Sequence, residues 1–293
     1  MRQLGRLTTP GRGMLGETRT RVGRVFAIVM VGAALQLLTQ TVLARGLPKT
    51  DVGIVSLLIG ILPLLSTLSL LGQDSSVVRF ITRTEPGAHD IPAHFRRTLA
   101  IAVPLGAVAA GVAALVYGLG PLPLATLLTL VVSQNTIALA TSIERANHRY
   151  EAAMAGTRAP VAVAAAVLVS LFALGALGLT SALVTLALAY LGSAVWVGLR
   201  QARPARSDTP LAEVPRSVIR RGFFFLGLSA SLSIMMALDK LVIGKMMTYA
   251  DLAVYATIFA VMRGFDFLFY SISYVLMPRV NSVERFPLAR YNL

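Results

Sequence analysis

No cysteine occurs among the 293 residues. That excludes a disulfide framework, a thiolate nucleophile and a cysteine metal site. Charge is also scarce. Charged residues make up 14% of the chain, where a soluble domain carries about 25%. The shortage excludes disorder, a coiled coil and an ordinary soluble enzyme. Lysine is nearly missing, so the basic charge is almost all arginine. The three histidines, His89, His94 and His148, are scattered without ligand spacing, so no metal site is expected. There is no Walker A loop. Gly11, Gly13 and Gly16 spell a G-x-G-x-x-G string, but no strand precedes it and an apolar span follows. No Ser/His/Asp set can be placed at a common depth. Neither an enzyme nor a cofactor is expected.

What the chain has instead is apolar length. Hydrophobic residues reach 56% and the mean hydropathy is +0.72. Apolar stretches recur at the length needed to cross a ~30 Å hydrocarbon core. Eight spans are predicted, at 25–44, 53–72, 98–118, 122–142, 159–177, 180–199, 222–244 and 253–277. The fold class is therefore all-α, a polytopic membrane protein. Residues 1–24 form a basic tail, 25–199 a six-helix lobe, 200–221 a Pro- and Arg-rich linker, 222–280 two helices of a second lobe, and 281–293 a C-terminal tail.

Lys and Arg total 27 against 13 Asp and Glu, a net charge of +14. Twenty-two of the 27 fall in the N-terminal tail, in the segments after even-numbered spans and in the C-terminal tail. Only Arg45, Lys49, Lys240 and Lys245 fall on the opposite side, and Arg263 lies within the eighth span. This asymmetry predicts both termini in the cytoplasm, with anionic lipid headgroups rather than nucleic acid as the partner of the basic loops.

The chain also matches itself at an offset of 200 residues. Residues 45–56 read RGLPKTDVGIVS and residues 245–256 read KMMTYADLAVYA. Each has a basic residue, a short turn, an Asp and the start of an apolar helix. A parallel repeat about an axis normal to the membrane would produce this, a device common in transporters.

Polar residues within spans are the candidate sites. Arg263 and Asp266 share a helix face in span 8, where a guanidinium costs roughly 2.5–3.5 kcal/mol at mid-bilayer. They read either as a structural ion pair or as a cationic cavity group balanced by a carboxylate. Asp239 and Lys240 lie near the outer end of span 7, where Lys240 could snorkel to the interface and Asp239 could anchor there or couple an ion. Gln36, Thr39 and Gln40 form a stripe on span 1. Gln134 and Asn135 sit in span 4. Each polar set either bonds helices together or lines a solute path. Asp74 and Arg79 lie at the inner end of span 2, and Arg45 at the outer end of span 1, where it could cap helix carbonyls or face a cavity mouth.

Two segments, 37–81 and 237–262, followed by VLMPRV at 275–280, resemble the Wzx-like oligosaccharide flippases of the multidrug/oligosaccharidyl-lipid/polysaccharide exporter superfamily. The likeness rests on a span ending in a basic residue, a short turn and an Asp, and on the Asp239-Lys240 pair opening the second copy. It implies two six-helix lobes about a central cavity. A polyprenyl-linked oligosaccharide would cross by alternating access, with Arg263 foremost, then Arg45 and Arg79, holding its diphosphate. Members of that family carry twelve to fourteen spans. The chain is thus expected to be either truncated after span 8 or completed by a partner subunit. The alternatives are a multidrug or cation extruder of the same superfamily and an inactive membrane subunit.

Overall fold

The computed structural model describes residues 12–83, 89–202 and 212–262. Among the described residues there are nine α-helices and no strand. They are α1 (Arg12–Gly46), α2 (Lys49–Leu70), α3 (Gln73–Ile81), α4 (Ile91–Tyr117), α5 (Pro121–Ala146), α6 (Tyr150–Ala173), α7 (Leu179–Ala202), α8 (Arg216–Met246) and α9 (Tyr249–Met262). Seven of them are long and apolar enough to cross a membrane, and α9 is a shorter apolar helix. The chain is an all-helical, multi-pass membrane protein. Arg263, Asp266 and most of the eighth predicted span lie outside the described residues.

Turn chemistry sets the hairpins. Between α4 and α5 the chain reverses within three residues, with Gly118 at φ 63° and two prolines opening α5. A positive φ there suits glycine, and proline fits the first turn of a helix. Between α6 and α7 Gly175 does the same at φ 66°. At the start of α4, Asp90 Oδ1 accepts from the Ala93 N–H at 2.9 Å, an ordinary N-cap. Neither the α4–α5 turn nor the α6–α7 turn carries a charged residue.

α2 is the hub. In its most apolar window 67% is buried inside the protein, against 11% for α8. It packs against α4 and α5 on one side and against α8 and α9 on the other. Its partners interlock through Leu57, Leu58, Ile61, Leu127, Leu130 and Leu183, all fully buried. The outer helices instead turn large apolar side chains away from the protein; Leu115 of α4 and Phe224 of α8 are 86% and 76% exposed. Patches of that size belong against lipid or further protein.

The second predicted span differs in detail. α2 stops at Leu70, and Leu71 and Gly72 both take positive φ, 52° and 70°. Asp74 and Arg79 therefore sit on a separate short helix, α3. The predicted span, 53–72, ends within two residues of α2, where Gln73 and Asp74 close the apolar run. The kink has a packing cause. A Cβ on Gly72 would lie 2.2 Å from the Gly222 carbonyl oxygen, so α3 can meet the first turns of α8 only with glycine there. Gln73 Nε2 then donates to the Ile219 carbonyl at 3.1 Å and Ser76 Oγ to the Val218 carbonyl at 2.6 Å.

Candidate functional site

The 200-residue offset is visible in the backbone. α1 ends at Gly46 and α8 at Met246; α2 begins at Lys49 and α9 at Tyr249. The turn bonds repeat in register. The N–H of Leu47 donates to the Leu43 carbonyl at 3.0 Å, and that of Met247 to Ile243 at 2.9 Å. Val52 donates to Pro48 and Leu252 to Thr248, both at 3.1 Å. The two hairpins pack together: α2 lies against both α8 and α9, and α1 reaches α9. α2 with α9 is a contact between equivalent helices, and α2–α8 corresponds to α1–α9. That is the pattern of a two-fold relation between hairpins.

A small cavity of about 20 Å³ lies on this relation. Its lining pairs Gln40 with Lys240, Ser56 with Ala256 and Ile59 with Phe259, and adds Gln36 and Ala260. Every pair is separated by 200 residues. Lys240 is only 9% exposed. Its stem crosses Gly60, where a Cβ would be 2.7 Å from Lys240 Cδ, and its ammonium stands 5.2 Å from the Phe259 ring centroid. A cation over an aromatic face is favoured when desolvated. Lys240 therefore does not snorkel: the bare helix surface at Gly60 admits its stem into the interface between the hairpins. Gln40 Oε1 and Ser56 Oγ face the same region without a hydrogen-bond partner among the described residues. A cavity of this size takes about one water, which would satisfy both.

A second cavity, of about 190 Å³, adjoins the first at Gln36 and Gln40 and lies within the first lobe. α1 supplies Gln36, Thr39 and Gln40, α5 Gln134, α6 Thr157 and Arg158, and α7 Tyr190. Arg158 stands eight residues into α6, about 12 Å along its axis, and Gln36 ten residues from the end of α1, about 15 Å. The cavity is therefore near mid-bilayer depth. No carboxylate from the described residues lines either cavity. The stem of Arg158 lies across α1, because a Cβ on Gly32 would be 2.7 Å from its Cδ. Tyr190 lies within electrostatic reach of the guanidinium.

The structure thus joins the two glutamines of span 1 to Gln134 and to Lys240. Arg158 is the residue that sequence reasoning placed elsewhere, as a loop cation before span 5. The charge interrupts the hydropathy window, but α6 already begins at Tyr150 and runs through alanine-rich, helix-favouring sequence. The signal available was the spacing of Thr157, Val161 and Ala164 on one helical face beside it.

The remaining candidates lie apart from these cavities. Asp239 takes hydrogen bonds from the Tyr255 hydroxyl of α9 and from the Lys240 backbone N–H, at 2.8 Å for the latter. Arg45 is exposed, while its equivalent Lys245 donates to the Val116 carbonyl at 2.7 Å and so caps the end of α4. Arg79 is half-buried on α3 and lines neither cavity. Asp74 sits in the first turn of α3. Burial raises its pKa, opposed by the Ser75 backbone N–H and the Arg145 charge. Asn135 separates from Gln134: its amide bonds Ser69 at 2.8 Å and the Ala102 carbonyl at 3.3 Å, tying α5 to α2 and α4. Among the described residues no group of His, Asp and Glu could hold a metal ion.

Comparison with family models, with curated proteins and with solved structures finds no match to this chain.

Proposed function

We propose that the protein takes part in moving a lipid-linked oligosaccharide across the cytoplasmic membrane by alternating access, with both termini in the cytoplasm. The observation that carries the reading is the pair of two-fold-related hairpins with a buried cation, Lys240, between them. Transporters built from repeats place their sites at such boundaries, near the bilayer midplane. A charge kept there against the cost of desolvation is a functional group by default. Lys240 and Arg158 bring ammonium and guanidinium groups to the cavities, chemistry suited to an anionic head such as a sugar diphosphate. The head would pass between the hairpins. The cavity inside the first lobe is too small for it, since sites for drug-sized ligands run to roughly 300–1,000 Å³. Arg263 and Asp266, three residues apart in the sequence after α9, are proposed to serve the same route.

The test is complementation. The chain is expected to restore a surface glycan in a strain lacking its own flippase, and purified protein to flip a fluorescent lipid-linked oligosaccharide in vesicles. Lys240→Gln and Arg263→Ala are expected to abolish both with expression intact. Wild-type flipping by both variants would remove the proposed site; no flipping by the unaltered chain would remove the function.

A further inference from the structure

We propose that the α8–α9 hairpin is hinged at the end that carries its turn and clasped at the other, so that the seam between α3 and the start of α8 opens while the turn end stays shut.

The contacts of the hairpin change character along α8. At the turn end they are apolar. Leu252 and Ala253 of α9 are buried in the same core as Leu57, Leu58 and Leu127, and Leu241 and Ile243 of α8 pack against that core. α4 closes the same end: the Tyr117 hydroxyl donates to the Leu241 carbonyl at 3.2 Å, and that of Tyr249 to the Tyr117 carbonyl at 2.6 Å. Toward the other end the apolar contacts give out. A second core lies there, around Leu70, Val77, Phe95 and Ile143, and among the described residues it takes in nothing from α8 or α9.

What holds the start of α8 is polar. Gln73 and Ser76 of α3 donate to the carbonyls of Ile219 and Val218, and Gly72 lies against the Gly222 backbone. Further along, the hydroxyls of Thr67 and Ser233 meet at 3.0 Å. Just before α8, the Asp90 N–H donates to the Ala212 carbonyl at 3.0 Å. Arg97 pairs with Glu213 at 2.9 Å, with side chains 66% and 75% exposed. Water can take over such bonds as they break, at small net cost, and an exposed ion pair contributes little. Apolar burial at the turn end has no such substitute. The two ends of one hairpin therefore differ in what separation costs, which is the arrangement of a hinge.

Opening along this seam leads past Ser233 to Lys240, whose stem lies on Gly60 of α2. The clasp would then decide when the buried ammonium meets water or solute from the α3 end. That consequence rests on the transport reading; the hinge itself does not.

The experiment is pulsed EPR on pairs of spin-labelled cysteines in the full chain, which has no native cysteine to interfere. Asn147→Cys with Arg220→Cys spans the clasped end, and Leu174→Cys with Met246→Cys the turn end; all four positions are exposed. Gly222→Ala places a Cβ 2.9 Å from the Leu71 carbonyl oxygen and against the Gln73 amide, so it prises the seam apart. It is expected to make a longer distance the major population at the first pair and to leave the second pair unchanged. Arg97→Gln removes only the exposed ion pair and decides the matter if Gly222→Ala does not fold. It is expected to raise the minor, longer population about two- to threefold. Neither label of the first pair lies on α3, so fraying of that short helix alone does not mimic opening. An unchanged first pair in folded Gly222→Ala, or in Arg97→Gln where it stands in, would overturn the proposal. So would equal lengthening at both pairs. Because no flipping is measured, a hinged chain that fails to flip loses only the transport reading.

Discussion

The α1–α2 and α8–α9 hairpins have the same helix ends and the same turn bonds, and they carry different chemistry at matching positions. Where α1 has Thr39 and Gln40, α8 has Asp239 and Lys240. Where α2 has Gly53 and Ser56, α9 has Ala253 and Ala256. The backbone relation needs only a short turn, a helix start and apolar faces, so many side chains are compatible with it. The polar groups between the hairpins must satisfy one another, and two identical lysines facing each other there would repel. One hairpin therefore carries the charge and the other neutral amide and hydroxyl partners. The repeat is thus kept in shape and split in charge.

The largest effect should come from the closest approach. A Cβ on Gly53 would sit 1.9 Å from the Tyr249 carbonyl oxygen, against backbone that cannot yield. Gly53→Ala is expected to destabilise the protein severely, by more than about 4 kcal/mol, as a forced backbone shift in a packed core does. The converse change at the matching position, Ala253→Gly, removes one buried methyl and adds backbone freedom, at about 1 kcal/mol. Thermal unfolding in detergent reads both. Equal losses would mean that the hairpins do not cross as described.

Next is the exchange of charge. Lys240→Gln removes the cation from the boundary and is expected to abolish flipping while the fold survives, since a glutamine still covers part of Gly60. Adding Gln40→Lys moves the cation to the other hairpin. If position relative to the two-fold relation is what matters, the double variant recovers much of the loss. If it stays dead, the Phe259 face and Gly60 groove on one side are indispensable, and the two halves are less alike than their backbones.

How much of this was legible follows from what each signal measures. Hydropathy reads burial in lipid, so the long spans and their turns were plain. The stripe of Gln36, Thr39 and Gln40 was found by helical spacing, and the repeat by register, because both are local patterns. Hydropathy equally misplaced Arg158, since a charge lowers a window whether it faces water or a cavity inside the bundle. The partner that makes room for it, Gly32, is on another helix 126 residues earlier. Lys240 read as an interface lysine for the same reason: its groove at Gly60 is a long-range contact. The end of α2 was legible to within two residues from the polar run at Gln73, but the left-handed turn at Leu71 and the packing of Gly72 on α8 are long-range and were not.

The smallest expected effect separates two aspartates that the sequence aligns. Asp251 closes the start of α9. Its Oδ2 accepts from the Thr248 N–H at 3.1 Å and from the Thr248 hydroxyl at 2.6 Å. Asp51 occupies the same place in α2, but Pro48 stands where Thr248 does and has neither donor. Asp251→Ala therefore removes a cap and is expected to lower the midpoint of thermal unfolding by more than Asp51→Ala does. Asp51→Ala removes only a favourable charge near the start of α2, the smaller effect. Thr248→Pro should bring the second hairpin to the first: Asp251→Ala made in that background is expected to cost no more than Asp51→Ala does. A full loss persisting without Thr248 would show that Asp251 acts through something other than the turn, and that the two starts differ in more than one residue.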